Sequence, residues 1–132
     1  MKTRGGTTGR VKGAPTFAKC ACTGANLPKL VHAMVLALLA DRPMHGYAIM
    51  DAIAGLRVFG ENPPDHSGIY RLLRGMEKAG FVKPRRAVAV SGRRKRDYAL
   101  TASGRQCLLR WVESLVRYRA AVETVLRLCR SR

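Results

Sequence analysis

Three short apolar runs, each cut off by residues that do not continue a helix, constrain the fold of this chain more than any other feature. Leu27, Val31, Met34, Val35, Leu38 and Leu39 fall at helical spacing and end near Asp41-Arg42-Pro43, where the proline disfavours further helix. Met44-His45-Gly46 then leads into Tyr47, Ile49, Met50, Ile53 and Leu56, a second helical run closed by Gly55 and the Gly60-to-Pro64 loop. Asp65-His66-Ser67 supplies capping chemistry for a third helix from about Ser67 to Lys78, and Ala79-Gly80 stands where such a helix stops. Three short helices joined by short turns are what a helix-turn-helix needs.

Past Gly80 the period becomes strand-like. Phe81-Val82 and Ala87-Val88-Ala89-Val90 precede Ser91-Gly92, and Tyr98-Ala99-Leu100 follows, which predicts a two-stranded basic hairpin. Thr101 can cap a long last helix from about Ala102 to Arg130. Along it Leu108, Val112, Leu115, Val122, Leu126 and Cys129 recur at spacings of three and four, interrupted by Arg119. The expected fold is mainly α with a small β-wing: a winged helix-turn-helix over residues 27–100 and a dimerisation helix over 101–132. Residues 1–26 form a basic arm ahead of both. Its first 19 residues hold Lys2, Arg4, Arg10, Lys12 and Lys19 among glycines with no acid, a composition that fits either a solubilising tail or a minor-groove arm.

Charge narrows the partner. The 132 residues carry 25 Lys and Arg against 8 Asp and Glu, a net +17 that self-repulsion opposes unless a polyanion offsets it. The basic runs lie in loops rather than on one amphipathic helix, which favours nucleic acid over a membrane surface. No segment offers the roughly 20 apolar residues of a membrane span, and the first residues lack a secretory pattern, so a cytoplasmic location is expected. Paired catalytic carboxylates, HExxH, a phosphate-binding loop and a Ser-His-Asp pattern are all missing, and His32, His45 and His66 are scattered, so no enzymatic activity is expected.

At 100° per residue, Ile69, Leu72, Leu73 and Met76 cluster on one side of the third helix. Ser67, Arg71, Arg74 and Lys78 gather on the other, with Tyr70 at the border and Glu77 near the edge. Such a face can enter the major groove of double-stranded DNA, where arginine reads guanine edges. The hairpin adds Lys83, Arg85, Arg86, Arg93, Arg94, Lys95 and Arg96, with Asp97 its one acid. From Arg71 to Arg96 there are ten basic residues and one acid, a net +9, and a wing so charged can track the phosphate backbone.

These residues resemble the PadR family of transcriptional regulators. Leu36-Ala-Leu-Leu-Ala40 and Arg42-Pro-Met-His-Gly-Tyr47 are similar to its first helix and the entry to its second. Ser67-Gly-Ile-Tyr-Arg-Leu-Leu73 with Met76-Glu-Lys-Ala-Gly80 is similar to its recognition helix, and Gly92-Arg-Arg-Lys-Arg-Asp-Tyr98, Leu100-Thr101 and Gly104 to its wing and last helix. The resemblance spans roughly residues 30–111 and implies a homodimeric regulator, usually a repressor, with Tyr47, Ser67, Tyr70 and Arg71 facing DNA. His45 and Tyr98 are expected to be structural. The family often senses a small molecule near the dimer interface. Trp111 and Tyr118, which share a helical face with Cys107, are the candidate effector site, although a core role for Trp111 also fits. An unregulated, architectural nucleic-acid-binding protein is the alternative function.

Cys20-Ala-Cys22 departs from the family pattern and raises a sensor reading. With Cys107 and Cys129 there are four thiols, the number that zinc or an iron–sulfur cluster takes. Cys107 and Cys129 are 22 positions apart, about 33 Å along a straight helix, so a site would need Cys129 from a second copy or an outside ligand. Plain thiols with no ligand also fit.

Overall fold

A computed structural model describes residues 29–60, 63–88 and 94–132. Leu27 and the basic arm lie outside these residues. Helix α1, Leu30–Asp41, buries Val31, Ala33, Val35, Leu36 and Leu39. Its apolar residues are not confined to one stripe because later elements cover it from several sides. Arg42 behind it is fully extended, as a residue before proline should be.

Met44–His45 forms a two-residue strand, β1, directly before helix α2, Gly46–Leu56. The ring of His45 caps α2, its Nδ1 accepting the Ala48 N–H at 3.3 Å, which is the turn-fixing role expected of it. The helix runs on past Gly55 and stops at Arg57, whose left-handed backbone (φ 57°) takes the place usually given to glycine. Helix α3, His66–Lys78, is capped by Asp65, whose Oδ1 accepts the Gly68 N–H at 2.8 Å. Ile69, Leu73 and Met76 sit on its inner side and meet Val35, Leu36, Ile49 and Ile53 in one core.

The hairpin consists of β2, Val82–Val88, and β3, Arg94–Leu100. Where two strands are predicted the sheet has three, in the order β1-β3-β2, all antiparallel. Met44 pairs with Tyr98 and His45 with Asp97, so the turn between α1 and α2 is hydrogen-bonded into the wing. Tyr98 is only 4% exposed and plugs the core from the central strand, as a packing residue rather than a stacking platform.

Helix α4, Ala102–Arg130, starts at a tight joint. The Thr101 N–H donates to the Phe81 carbonyl at 3.1 Å, its hydroxyl donates to the Gly80 carbonyl at 2.7 Å, and its Oγ accepts the Gly104 N–H at 3.0 Å. One threonine therefore ties the end of α3, the base of the wing and the start of α4 together. Gly104 is buried here because its Cα lies against the Phe81 carbonyl and the Leu100 side chain. Cys107, Leu108 and Trp111 continue the packing onto the core, and Trp111 donates its indole N–H to Nδ1 of His32 on α1 at 3.1 Å.

Burial pushes the His32 imidazole below its ordinary value of 6.5. Between that lowered value and 6.5 the unfolded chain binds a proton that the folded chain does not. Stability therefore rises with pH across this window, is flat above it for this group, and is lost as pH falls. Protonation would also place a donor where Trp111 needs an acceptor. Urea midpoints should fall between pH 7 and pH 5 in the wild type and fall less in His32→Leu; equal falls would show that His32 does not carry the effect.

Beyond Leu115 every residue of α4 is exposed. At 29 residues the helix is about 43 Å long, and its outer half carries Val122, Val125, Leu126 and Leu128 at 43–56% exposure.

Candidate nucleic-acid interface

The outward side of α3 presents Ser67, Arg71, Arg74 and Lys78, all exposed, opposite the buried Ile69, Leu73 and Met76. Arg96 on β3 reaches the same side. Its Nη2 stands 3.9 Å from Oε2 of Glu77, and Arg74, Gly75, Glu77, Lys78 and Arg96 line a hollow of about 530 Å³ between α3 and the wing. A second pair, Arg85 with Asp97 at 3.9 Å, joins facing residues of β2 and β3. The backbone of β3 includes Arg94 and Lys95, whose side chains, like all of Arg93, lie outside the described residues.

Tyr70 and Tyr47 have different surroundings. Tyr70 is half-buried with its ring on the Cα of Gly46, so close that a Cβ there would stand 2.6 Å from the phenol oxygen. It spaces α3 from α2. Tyr47 is 57% exposed, and its ring meets the ring of His66 edge-on at 4.9 Å. His66 is a surface neighbour of the predicted set that the sequence reading assigned only to capping and structure. Both tyrosines, His45, Gly46, Arg96 and Tyr98 line a smaller hollow of about 300 Å³. Burial raises the Tyr98 phenol above its ordinary value, opposed by the charges of Arg96 and Arg74 and reinforced by Glu77 and Tyr70, so the ring stays neutral.

The other predicted residues do not join this surface. Trp111 is tucked between α4 and α1, while Tyr118, seven residues on, is 54% exposed. Cys107 is half-buried and Cys129 exposed on one unbroken helix, so the two cannot meet within a chain. Cys20 and Cys22 lie outside the described residues. Among the described residues no three His, Cys, Asp or Glu side chains cluster closely enough to hold a metal ion, and no helix is long and apolar enough to cross a membrane.

Three helices with a hairpin stitched to their first turn, followed by a long terminal helix, make this a winged helix-turn-helix protein. Residues 35–110 match the Transcriptional regulator PadR-like family, which is more than half of the chain. The chain belongs to that family, whose members are transcriptional regulators and not enzymes. Similar solved structures agree. The protein TA0346 from Thermoplasma acidophilum is 26% identical with a TM-score of 0.65, over 77% of this chain and 95% of that one. Bacillus subtilis PadR, solved in complex with operator DNA, is 27% identical with a TM-score of 0.56, over 64% of this chain and 46% of that one. The PadR-like regulator BC4206 from Bacillus cereus shares the fold at 20% identity and a TM-score of 0.66, over 77% and 96%. Among curated proteins none matches.

Proposed function

We propose that this regulator binds a specific double-stranded DNA site as a homodimer and represses transcription until an effector releases it. The carrying observation is the one-sided cationic face of α3, where Ser67, Arg71, Arg74 and Lys78 stand exposed opposite the helix's buried residues. In this reading α3 enters the major groove, with Arg71 at base edges. Arg74, Lys78 and the wing residues Arg93, Arg94, Lys95 and Arg96 hold phosphates, and Tyr47 and Tyr70 flank the entry. The bound operator in the Bacillus subtilis relative supports the same use here.

The outer half of α4 supports the dimer, since Val122, Val125, Leu126 and Leu128 would be left in water on a monomer. An effector beside Trp111 and Tyr118 would act where α4 packs on α1, at the bond between Trp111 and His32. The cysteines are the second candidate for the switch, as thiols or as ligands of zinc or an iron–sulfur cluster.

Selection of duplexes from a randomised library by the full-length protein tests the reading, with light scattering at micromolar concentration beside it. The expected result is a dimer that enriches a short palindrome, preferred over random duplex about a thousandfold. Arg71→Ala should weaken that site by about 1–3 kcal/mol and Arg94→Ala should weaken all sequences alike. A monomer that enriches no sequence would leave the architectural reading in its place.

A further inference from the structure

Glu77 is the one acid between Arg71 and Arg96, and the fold sets it in the hollow where Arg74, Lys78 and Arg96 converge. Its side chain is 35% exposed and that of Arg96 62%. An ion pair this open adds little to folding, and a carboxylate at a phosphate-binding surface repels every duplex whatever its sequence. At 3.9 Å the two form an ion pair without a hydrogen bond, so the N–H groups of Arg96 can still donate to a phosphate.

From these facts, and resting on the DNA-binding reading above, we infer that Glu77 is a specificity-determining, positioning residue. It attracts the Arg96 guanidinium from 3.9 Å and sets a negative charge in the hollow between α3 and the wing. In a loose encounter the duplex is held by long-range attraction, which Glu77 weakens. When α3 seats in register, a phosphate enters the hollow and the guanidinium donates to it and to Glu77 together, so the pair becomes a prearranged clamp. The carboxylate thus handicaps random DNA more than the proper site.

The test uses full-length wild type, Glu77→Gln, Arg96→Ala and the double variant. Asp41→Asn serves as a control, because it breaks a similar 4.0 Å pair with Arg42 outside the groove. Probes are the best duplex selected by the wild type and a random duplex of equal length, titrated by fluorescence anisotropy from 50 to 200 mM salt. Glu77→Gln should bind random duplex about three- to tenfold more tightly, with a salt slope steeper by about one. Its affinity for the selected site should change less than about twofold, so the ratio falls. That fall should vanish in the Arg96→Ala background and be absent in Asp41→Asn. Equal gains on both probes, or the same fall without Arg96, would overturn the inference while leaving the DNA-binding reading intact. A wild type that enriches no sequence overturns both, and shows it before any variant is made.

Discussion

Gly104→Ala is expected to destabilise the fold by about 3 kcal/mol, the upper end for overpacking. In an ordinary helix this change helps, by about 1 kcal/mol of propensity. Here the added methyl would land on the Phe81 carbonyl and the Leu100 side chain. The carbonyl is backbone and already accepts the Thr101 N–H, so it cannot turn aside without breaking the joint among α3, the wing and α4. Domains of this kind have only about 5–15 kcal/mol to lose, and the variant should unfold at markedly lower urea. An alanine variant as stable as the wild type would show that the start of α4 has slack.

Gly46→Ala is the other large effect, and it acts on affinity as well as stability. The Tyr70 ring lies 2.6–2.7 Å from where the new Cβ would be. The end of the ring must move, and any movement of it disturbs the spacing it sets between α2 and α3. Selected-site affinity should drop tenfold or more, about 1.4 kcal/mol, while random-duplex affinity, set by charge, changes little. In a Tyr70→Ala background the same substitution should cost far less, because the obstructing ring is gone. If Gly46→Ala hurts equally with and without Tyr70, the spacing role assigned to that ring is wrong.

Both sites depend on local chemistry that was partly legible in the sequence. Asp65 and Thr101 announced the starts of α3 and α4 because caps are written in nearby residues. The cationic outer face of α3 followed from periodicity alone. Two features did not. The helical run to Leu56 was legible, but not its stop at Arg57, a residue type that seldom takes left-handed backbone. Met44–His45 gave no strand signal because two residues have no period, and their partners, Tyr98 and Asp97, lie far along the chain. Separation along the chain also hid the bond between His32 and Trp111 and the ion pair between Glu77 and Arg96. The role of Tyr70 was obscured for a related reason: its place at the border of the helix fits reader and spacer alike, and the facing glycine became visible only in three dimensions.

The pairing of Met44 with Tyr98 spans 54 positions, which sets the order in which the protein can be finished as it is made. A ribosome delivers α1, α2 and α3 first, and the loop that closes β1 onto β3 cannot form until residue 98 has emerged. Closing so long a loop is slow relative to forming the helices it encloses. During that interval the core lacks its tyrosine plug, and β2, the strand packed against the cationic helix, lacks its partner β3. Premature termination before residue 98 should therefore yield a sticky, basic fragment rather than a weakened regulator.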